Sequence, residues 1–268
     1  MRRREGAPRS ASAPSVEEIW RRELTYPHPK RRQRQIFARI PSPPRCKFCA
    51  APFAGPGGLI MPLLGHGRWP KNPKYCSGCF RMLQTFHGGA EVECSLLFAD
   101  VRGSTAMAEH LRPKEFNRLM GRFYDTATTI LVDHDAYVDK FVGDEVIGVF
   151  VPAMATEFHA RHAVESAQQL LHETGHADPG GPWIPVGVGI NTGVAYVGSV
   201  GTGADTELTA MGDEVNITAR LASTAAAGEI LVTLAAAASA RLAEAGLERR
   251  SLPLKGKSEP TDVLVLRV

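Results

Sequence analysis

An α+β fold is predicted for most of this 268-residue chain, on three observations. From Glu93 onward, apolar runs with strand character alternate with stretches of helical period. Two of the runs, in AYVDKFVGDEVIGVFV, flank a Gly143-Asp144 turn, which is a hairpin signal. Apolar residues make up 44% of the chain, enough for a large core. Hairpins among alternating strands and helices favour a mixed sheet over a purely parallel doubly wound one.

The elements follow in order. Residues 1–45 mix Arg, Pro and Ser and hold twelve Arg/Lys against four Asp/Glu, a balance of +8, while the remainder carries −5. This reads as a basic, disordered tail, within which short helices fit Val16–Leu24 and Arg31–Ile40. The Arg-rich start leads into no apolar run, so it is not a secretory signal, and no segment has the 18 or so apolar residues of a membrane span. A soluble, cytoplasmic protein is expected. A solvated tail is the plainer reading against a nucleic-acid or membrane contact, since the segment after it offers few aromatics for stacking.

Residues 46–80 are short and Gly/Pro-rich, and are bracketed by Cys46-x2-Cys49 and Cys76-x2-Cys79. Too little apolar mass lies there to fold alone. Four thiolates suit a closed tetrahedral Zn²⁺ site of zinc-ribbon type, although the intervening 26 residues exceed a standard ribbon loop. An iron–sulfur cluster and a redox dithiol pair are the competing readings. His66 and His87 are available ligands made unnecessary by the four cysteines. Cys94, the fifth, opens an apolar run and should be buried.

Residues 93–268 form the main domain. CSLLFADV reads as a buried strand, followed by helix over about Thr105–Asp133 with a break near Pro113. ATEFHARHAVESAQQLLHET should be a helix with Phe158, Ala163, Val164, Leu170 and Leu171 near one face. PVGVGINTGVAYVGSVG reads as two strands joined near Asn191–Gly193. ELTAMG is a strand end, DEVNITARLASTA a helix and GEILVT a strand. An Ala-rich helix and the strands RRSLPLKG and DVLVLRV close the chain.

Two carboxylates stand out: Asp100 at the end of the first strand and Asp144 at the hairpin tip. If strand and hairpin are neighbours, both acids converge at one sheet edge, a site for hard divalent cations carrying a nucleoside triphosphate. Arg102-Gly103-Ser104-Thr105 then opens a helix whose free N–H groups suit phosphate. Taken singly, Asp100 reads more readily as a helix cap and Asp144 as a turn residue. Asn216 and Arg220 share a helix face at i,i+4, which alone signals only a solvated surface.

FADVRGST, DKFVGDEVIGVF, VGVGINTG, MGDEVNITARL and LKGK, in this order, resemble the catalytic domain of class III adenylyl and guanylyl cyclases over about residues 93–268. The resemblance implies a ferredoxin-like βαββαβ core with extra strands, active as a head-to-tail homodimer that makes cyclic AMP from ATP. It implies two Mg²⁺ or Mn²⁺ held by Asp100, Asp144 and the Val101 carbonyl. It assigns base reading to Lys140 and Thr209, the latter as in a subgroup with Thr where many members have Asp. It assigns the transition state to Asn216 and Arg220, and the terminal phosphates to Lys255. Metal acids would come from one protomer and the base-reading and transition-state residues from the other. An acid commonly replaces Lys140 in guanylyl cyclases, so ATP is favoured over GTP, with pyrimidine triphosphates open. A catalytically silent zinc-ribbon sensor is the alternative of another class. Gly187 departs from members with a phosphate-binding Arg there, with Arg102 a candidate substitute, and Ser104 replaces a common aromatic.

Overall fold

The structure is a computed structural model that describes residues 13–26, 28, 30–40 and 43–268, with the backbone alone for residues 140–142. Its frame is one eight-stranded sheet: β1 (Gly89–Val101), β2 (Tyr137–Val142), β3 (Glu145–Phe150), β4 (Val186–Val200), β5 (Glu207–Met211), β6 (Glu229–Thr233), β7 (Glu248–Leu252) and β8 (Thr261–Arg267). The order is β2-β3-β1-β4-β6-β8-β7, with β5 on β4 beside this path. Helices α1 (Val16–Leu24), α2 (Arg31–Ala38), α3 (Gly55–Ile60) and α4 (Ser77–Thr85) precede the sheet. Helices α5 (Ser104–His110), α6 (Pro113–Asp133), α7 (Pro152–Ala155), α8 (His159–Glu173), α9 (Asp213–Thr224) and α10 (Leu234–Ala240) connect its strands. From β1 to β4 the chain runs βαββαβ, and its order β4-β1-β3-β2 is the expected ferredoxin-like arrangement.

Pro113 begins α6, where its missing N–H would have had no helical partner anyway, so the break falls where the sequence placed it. Cys94 is buried, and burial pushes its thiol up to about 12. Phe158 is a correction: it precedes α8 and is 40% exposed, off the apolar face that Ala163, Val164, Leu170 and Leu171 bury.

A second correction concerns β4, which runs unbroken through Asn191-Thr192-Gly193. The turn residues there serve packing. Asn191 Oδ1 accepts from the Thr233 hydroxyl at 2.8 Å, and its amide nitrogen donates to the Glu214 carboxylate. A β-carbon at Gly193 would lie 2.6 Å from Glu214 Cδ. Gly189 is tighter still, because a β-carbon there would meet α9 backbone, Ala222 N at 2.5 Å and Thr218 O at 2.7 Å. Gly189→Ala should therefore force α9 off the sheet and cost about 1–3 kcal/mol, seen as a lower melting temperature.

The basic tail expected over 1–45 is also corrected for the described residues. Helices α1 and α2 fall where short helices were expected, but they are docked. Trp20 and Leu24, one turn apart, are fully buried, and Trp20 Nε1 donates to the Phe86 carbonyl at 2.6 Å. Arg34 is 1% exposed and donates to the carbonyls of Phe48, at 3.0 Å, and Ala136. The two carbonyls and the face of the Tyr137 ring offset the burial of this guanidinium, whose Nε has no hydrogen-bond partner among the described residues. Cys46, Phe48, Tyr75, Phe80 and Leu83 join the same apolar core as β1 and α8, so residues 46–80 are built into the main domain. No helix of the described residues is long and apolar enough to cross a membrane.

On β6, Glu229 is 6% exposed and receives Arg250 of β7, at 2.9 and 2.7 Å, and Arg267 of β8, at 2.6 Å. The Arg250 hydrogen bonds lead in holding its carboxyl down to about 2. A depressed folded-state pKa means stability fully present above the usual carboxylate range, near 4.5, and lost as pH falls toward 2. Glu229→Gln should thus cost about 1–3 kcal/mol at pH 7, with the difference from wild type shrinking as thermal melts are taken down to pH 2.

Candidate active site and cysteine cluster

Antiparallel pairing of β1 with β3 sets Asp100 directly opposite Glu145, and the Val101 N–H donates to the Asp144 carbonyl at 3.2 Å. Asp100, Val101 and Asp144 are therefore brought to one sheet end. Gly143 makes the tip possible with φ +63°, and Gly103 turns the chain after β1 with φ +70°. The Ser104 hydroxyl donates to Asp144 Oδ2, so this residue orients the second acid. Thr105, Phe116, Met120 and Tyr124 line a cavity of about 270 Å³ against Ser104 and Asp144. In its wall the Tyr124 hydroxyl donates to the Gly143 carbonyl.

The electrostatics are those of crowded anions. Burial raises Asp100 above the ordinary carboxylate range, the Arg102 hydrogen bond opposes this, and Asp144 adds to the rise. Burial, then Asp100 and Asp144, pushes Glu145 up to about 7. Three carboxyls sharing one half-buried corner suit cations, which would relieve both causes. Glu145 was missed in the sequence, although its place in GDEV and the hairpin register put it across from Asp100.

Arg102 pairs with Asp100 and donates to the Ser223 carbonyl at 2.6 Å, tying Asp100 to the end of α9. Gly187, opposite Asp100 on β4, cannot carry a side chain unaided: a β-carbon would stand 2.6 Å from the Ala225 carbonyl oxygen.

Asn216 is exposed on α9 and Arg220 half-buried. The Arg220 guanidinium lies beside Gly256, 3.4 Å from where a β-carbon would stand, in the turn that also carries exposed Lys255. Lys257 in that turn pairs with Asp213 at the start of α9. The structure thus groups Arg220 with the Lys255 turn between β7 and β8. Between β1 and β8 lie β4 and β6, three strand spacings or about 14 Å of sheet. Among the described residues no hydrogen bond or ion pair joins the side chain of Asn216 or Arg220 to Asp100 or Asp144.

Thr209, buried on β5, donates to Asp139 Oδ2 at 2.7 Å. Asp139 precedes Lys140, whose side chain lies outside the described residues. The β2–β3 register shifts between Val138 and Phe141, so residues 139 and 140 form a bulge.

The four cysteines meet, their sulfurs all within 4.8 Å of one another. Cys49 and Cys76 sulfurs stand 3.7 Å apart, close to the edge of about 3.8 Å that a tetrahedron with Zn–S bonds of ~2.3 Å requires. Backbone N–H groups of Cys76 and Cys79 point at the sulfurs of Cys46, at 3.3 Å, and Cys76, at 3.4 Å. Hydrogen bonds from neighbouring thiols hold Cys76 far below the ordinary thiol range and Cys49 and Cys79 above it. His66 Nδ1 lies 3.3 Å from the Cys76 sulfur while its Nε2 meets Gln33 at 2.8 Å, an outer partner of the cluster. His87 lies elsewhere, bonded to the Gly201 carbonyl at 2.7 Å.

Comparison with known proteins places these observations. The family profile "Adenylate and Guanylate cyclase catalytic domain" matches residues 89–266. Adenylate cyclase 1 of Rhizobium meliloti (strain 1021) is 32% identical over 135 residues, 48% of this chain and 20% of that protein. The adenylate cyclase of Anabaena cylindrica is 30% identical over 135 residues, 47% of this chain and 26% of that protein. The chain therefore matches about a fifth to a quarter of these relatives' length. Among solved structures, the guanylyl cyclase Cya2 superposes with a TM-score of 0.60 at 26% identity, covering 66% of this chain and 93% of that one. The adenylyl cyclase CyaB from P. aeruginosa gives 0.58 at 25% identity, over 67% and 96%.

Proposed function

Because the chain belongs to the adenylate and guanylate cyclase catalytic domain family, we propose that it converts ATP to 3′,5′-cyclic AMP and pyrophosphate at sites shared between two copies. This is a lyase reaction of cyclic-nucleotide signalling. The observation that carries it is the convergence of Asp100 and Asp144 at one sheet end, through the β1–β3 register and the Val101–Asp144 hydrogen bond. Asp100, Asp144 and the Val101 carbonyl would hold two Mg²⁺ or Mn²⁺, which when bound acidify the ribose 3′-OH and neutralise the leaving pyrophosphate.

The chain's own residues do the rest. Ser104 holds Asp144 in place. Asn216 orients the ribose, and Arg220 takes the charge that grows on the α-phosphate as the 3′ oxygen attacks in line. Lys255 meets the terminal phosphates. Arg220 sits against the 255–257 turn and not against Asp100 or Asp144, which supports a head-to-tail dimer in which each site takes its acids from one copy and Asn216 and Arg220 from the other.

Lys140 and Thr209 set the base. Lysine donates, and a threonine hydroxyl accepts or donates, which suits the N1/N6 edge of adenine. The relatives called adenylate cyclases support ATP, and the likeness to a guanylyl cyclase makes GTP the comparison to run. Incubating the protein with each of four nucleoside triphosphates and Mn²⁺, with products identified by mass spectrometry, should give cyclic AMP. ATP should be preferred over GTP by at least about tenfold in kcat/KM, roughly 1.4 kcal/mol. Equal values would refute the base assignment.

The sulfur spacing supports one structural Zn²⁺ on Cys46, Cys49, Cys76 and Cys79. Elemental analysis of protein purified under reducing conditions should find about one zinc per chain. Iron, or no metal, would contradict it.

A further inference from the structure

The cysteine segment grips the two strands on which base reading is proposed to depend. Lys47, next to Cys46, donates through Nζ to the Asp139 carbonyl, inside the β2 bulge that contains residue 140. Tyr75, next to Cys76, accepts at its hydroxyl the Leu208 N–H at 2.9 Å, one residue before Thr209 on β5. Asn72 adds its amide to the carbonyls of Ala204 and Thr206, both at 3.0 Å, and Lys74 pairs with Glu207. β5 pairs only with β4 among the described strands, so residues 72–75 stand in for a missing neighbour along its outer edge. Phe48 stacks on Tyr137 at the start of β2, ring centres 5.0 Å apart.

The two gripping residues are themselves joined at the cluster. Lys47 N–H donates to the Lys74 carbonyl at 3.0 Å, and Cys76 N–H to the Cys46 sulfur at 3.3 Å. The distance between Lys47 and Tyr75 is thus set where Cys46 and Cys76 meet. The same distance sets how β2 stands to β5, where Asp139 and Thr209 bond. The space that Lys47, Tyr75, Asp139, Leu208 and Thr209 help enclose is about 10 Å³, room for at most one water, so a shift on one side is passed to the other.

We propose that Lys47 and Tyr75 are positioning residues for nucleotide selection, and that the four-cysteine centre, by fixing the gap between them, holds the base-reading edge of β2 and β5 in the geometry that distinguishes adenine from guanine. This rests on the cyclase reading above. Metal at the cysteines then supports specificity as well as fold. Its loss opens the base edge while the acid corner at Asp100 and Asp144 stays formed.

The test uses the full chain loaded with zinc. Lys47→Met and Tyr75→Phe are compared with wild type for zinc content and for kcat and KM on ATP and on GTP. Zinc should remain at one equivalent. The ATP-to-GTP ratio of kcat/KM should fall about fivefold in Tyr75→Phe, the factor a single neutral hydrogen bond carries, and at least about fivefold in Lys47→Met, whose donor is an ammonium, chiefly through a higher KM for ATP. Lys47→Arg should restore the ratio. Unchanged selectivity with zinc retained, or an equal loss for both nucleotides, overturns the proposal. If Lys47→Met does not fold, Tyr75→Phe, which removes one oxygen, decides the matter.

If wild type makes no cyclic nucleotide, or both equally, the nucleotide reading has failed and the clamp is judged by hydrogen exchange alone. On zinc removal by a chelator under reducing conditions, exchange over residues 137–142 and 206–211 should rise at least about tenfold while residues 94–100 stay protected. No such difference overturns the clamp.

Discussion

Asp100→Ala is expected to lower kcat at least about a thousandfold, some 4 kcal/mol of transition-state stabilisation, with the fold intact. The loss follows from the corner it occupies. Asp100 is one of two acids that β1 and the β2–β3 tip bring together, and a cation bound there loses a ligand with it. The fold should survive because the corner is strained by its own charge. Burial and Asp144 both raise Asp100, and Asp100 in turn helps push Glu145 up to about 7. Removing one anion relieves that repulsion and frees only the Arg102 contact, so the melting temperature should hold or rise. Asp144→Ala should match it in activity, and there the Ser104 hydroxyl loses its acceptor. Near-normal turnover in either purified variant would sink the two-metal reading.

Arg220→Ala is expected to cost about 10³-fold in kcat with little change in KM for ATP, the low end of what an arginine on a transferring phosphoryl group contributes. An effect confined to kcat marks a contact made in the transition state only. Arg220→Lys should recover little, since a point charge does not reproduce the planar fork of donors. Arg220 lies against the 255–257 turn, so circular dichroism and melting should be checked beside the rates. A variant that unfolds would say nothing of the chemistry, and Asn216→Ala, on an exposed position, then carries the test. An unchanged kcat in a folded Arg220→Ala protein would remove Arg220 from the reaction.

Much of this was legible in the sequence for a definite reason. Asp100 and Asp144 carry weak signals singly, but motif order ties them to one hairpin and one strand, and the register then forces them together. The four cysteines announced themselves by spacing. The misreadings have physical causes too. Asn191 and Gly193 are turn residues by habit, but here the asparagine is buried among hydrogen bonds and the glycine makes room for Glu214. Trp20, Leu24 and Arg34 were hidden in a stretch whose average composition is that of a disordered tail, although a Trp and a Leu one helical turn apart are what docks α1. Glu145 was overshadowed by the acid beside it. Lys47 and Tyr75 could not be read at all, because their partners lie 92 and 133 residues away and involve backbone atoms, which leave no trace in residue type.

The shared site is the central claim, and mixing two inactive proteins tests it most directly. Asp100→Ala dimers lack a cation ligand in both sites, and Arg220→Ala dimers lack the transition-state donor in both. In a mixed dimer one site carries both lesions and the other carries neither. Equal concentrations with full subunit exchange put half the dimers in mixed form, each with one working site, so activity should return to about a quarter of wild type. A mixture shown by tagged pull-down to contain mixed dimers, yet as inactive as its parents, would contradict the shared site.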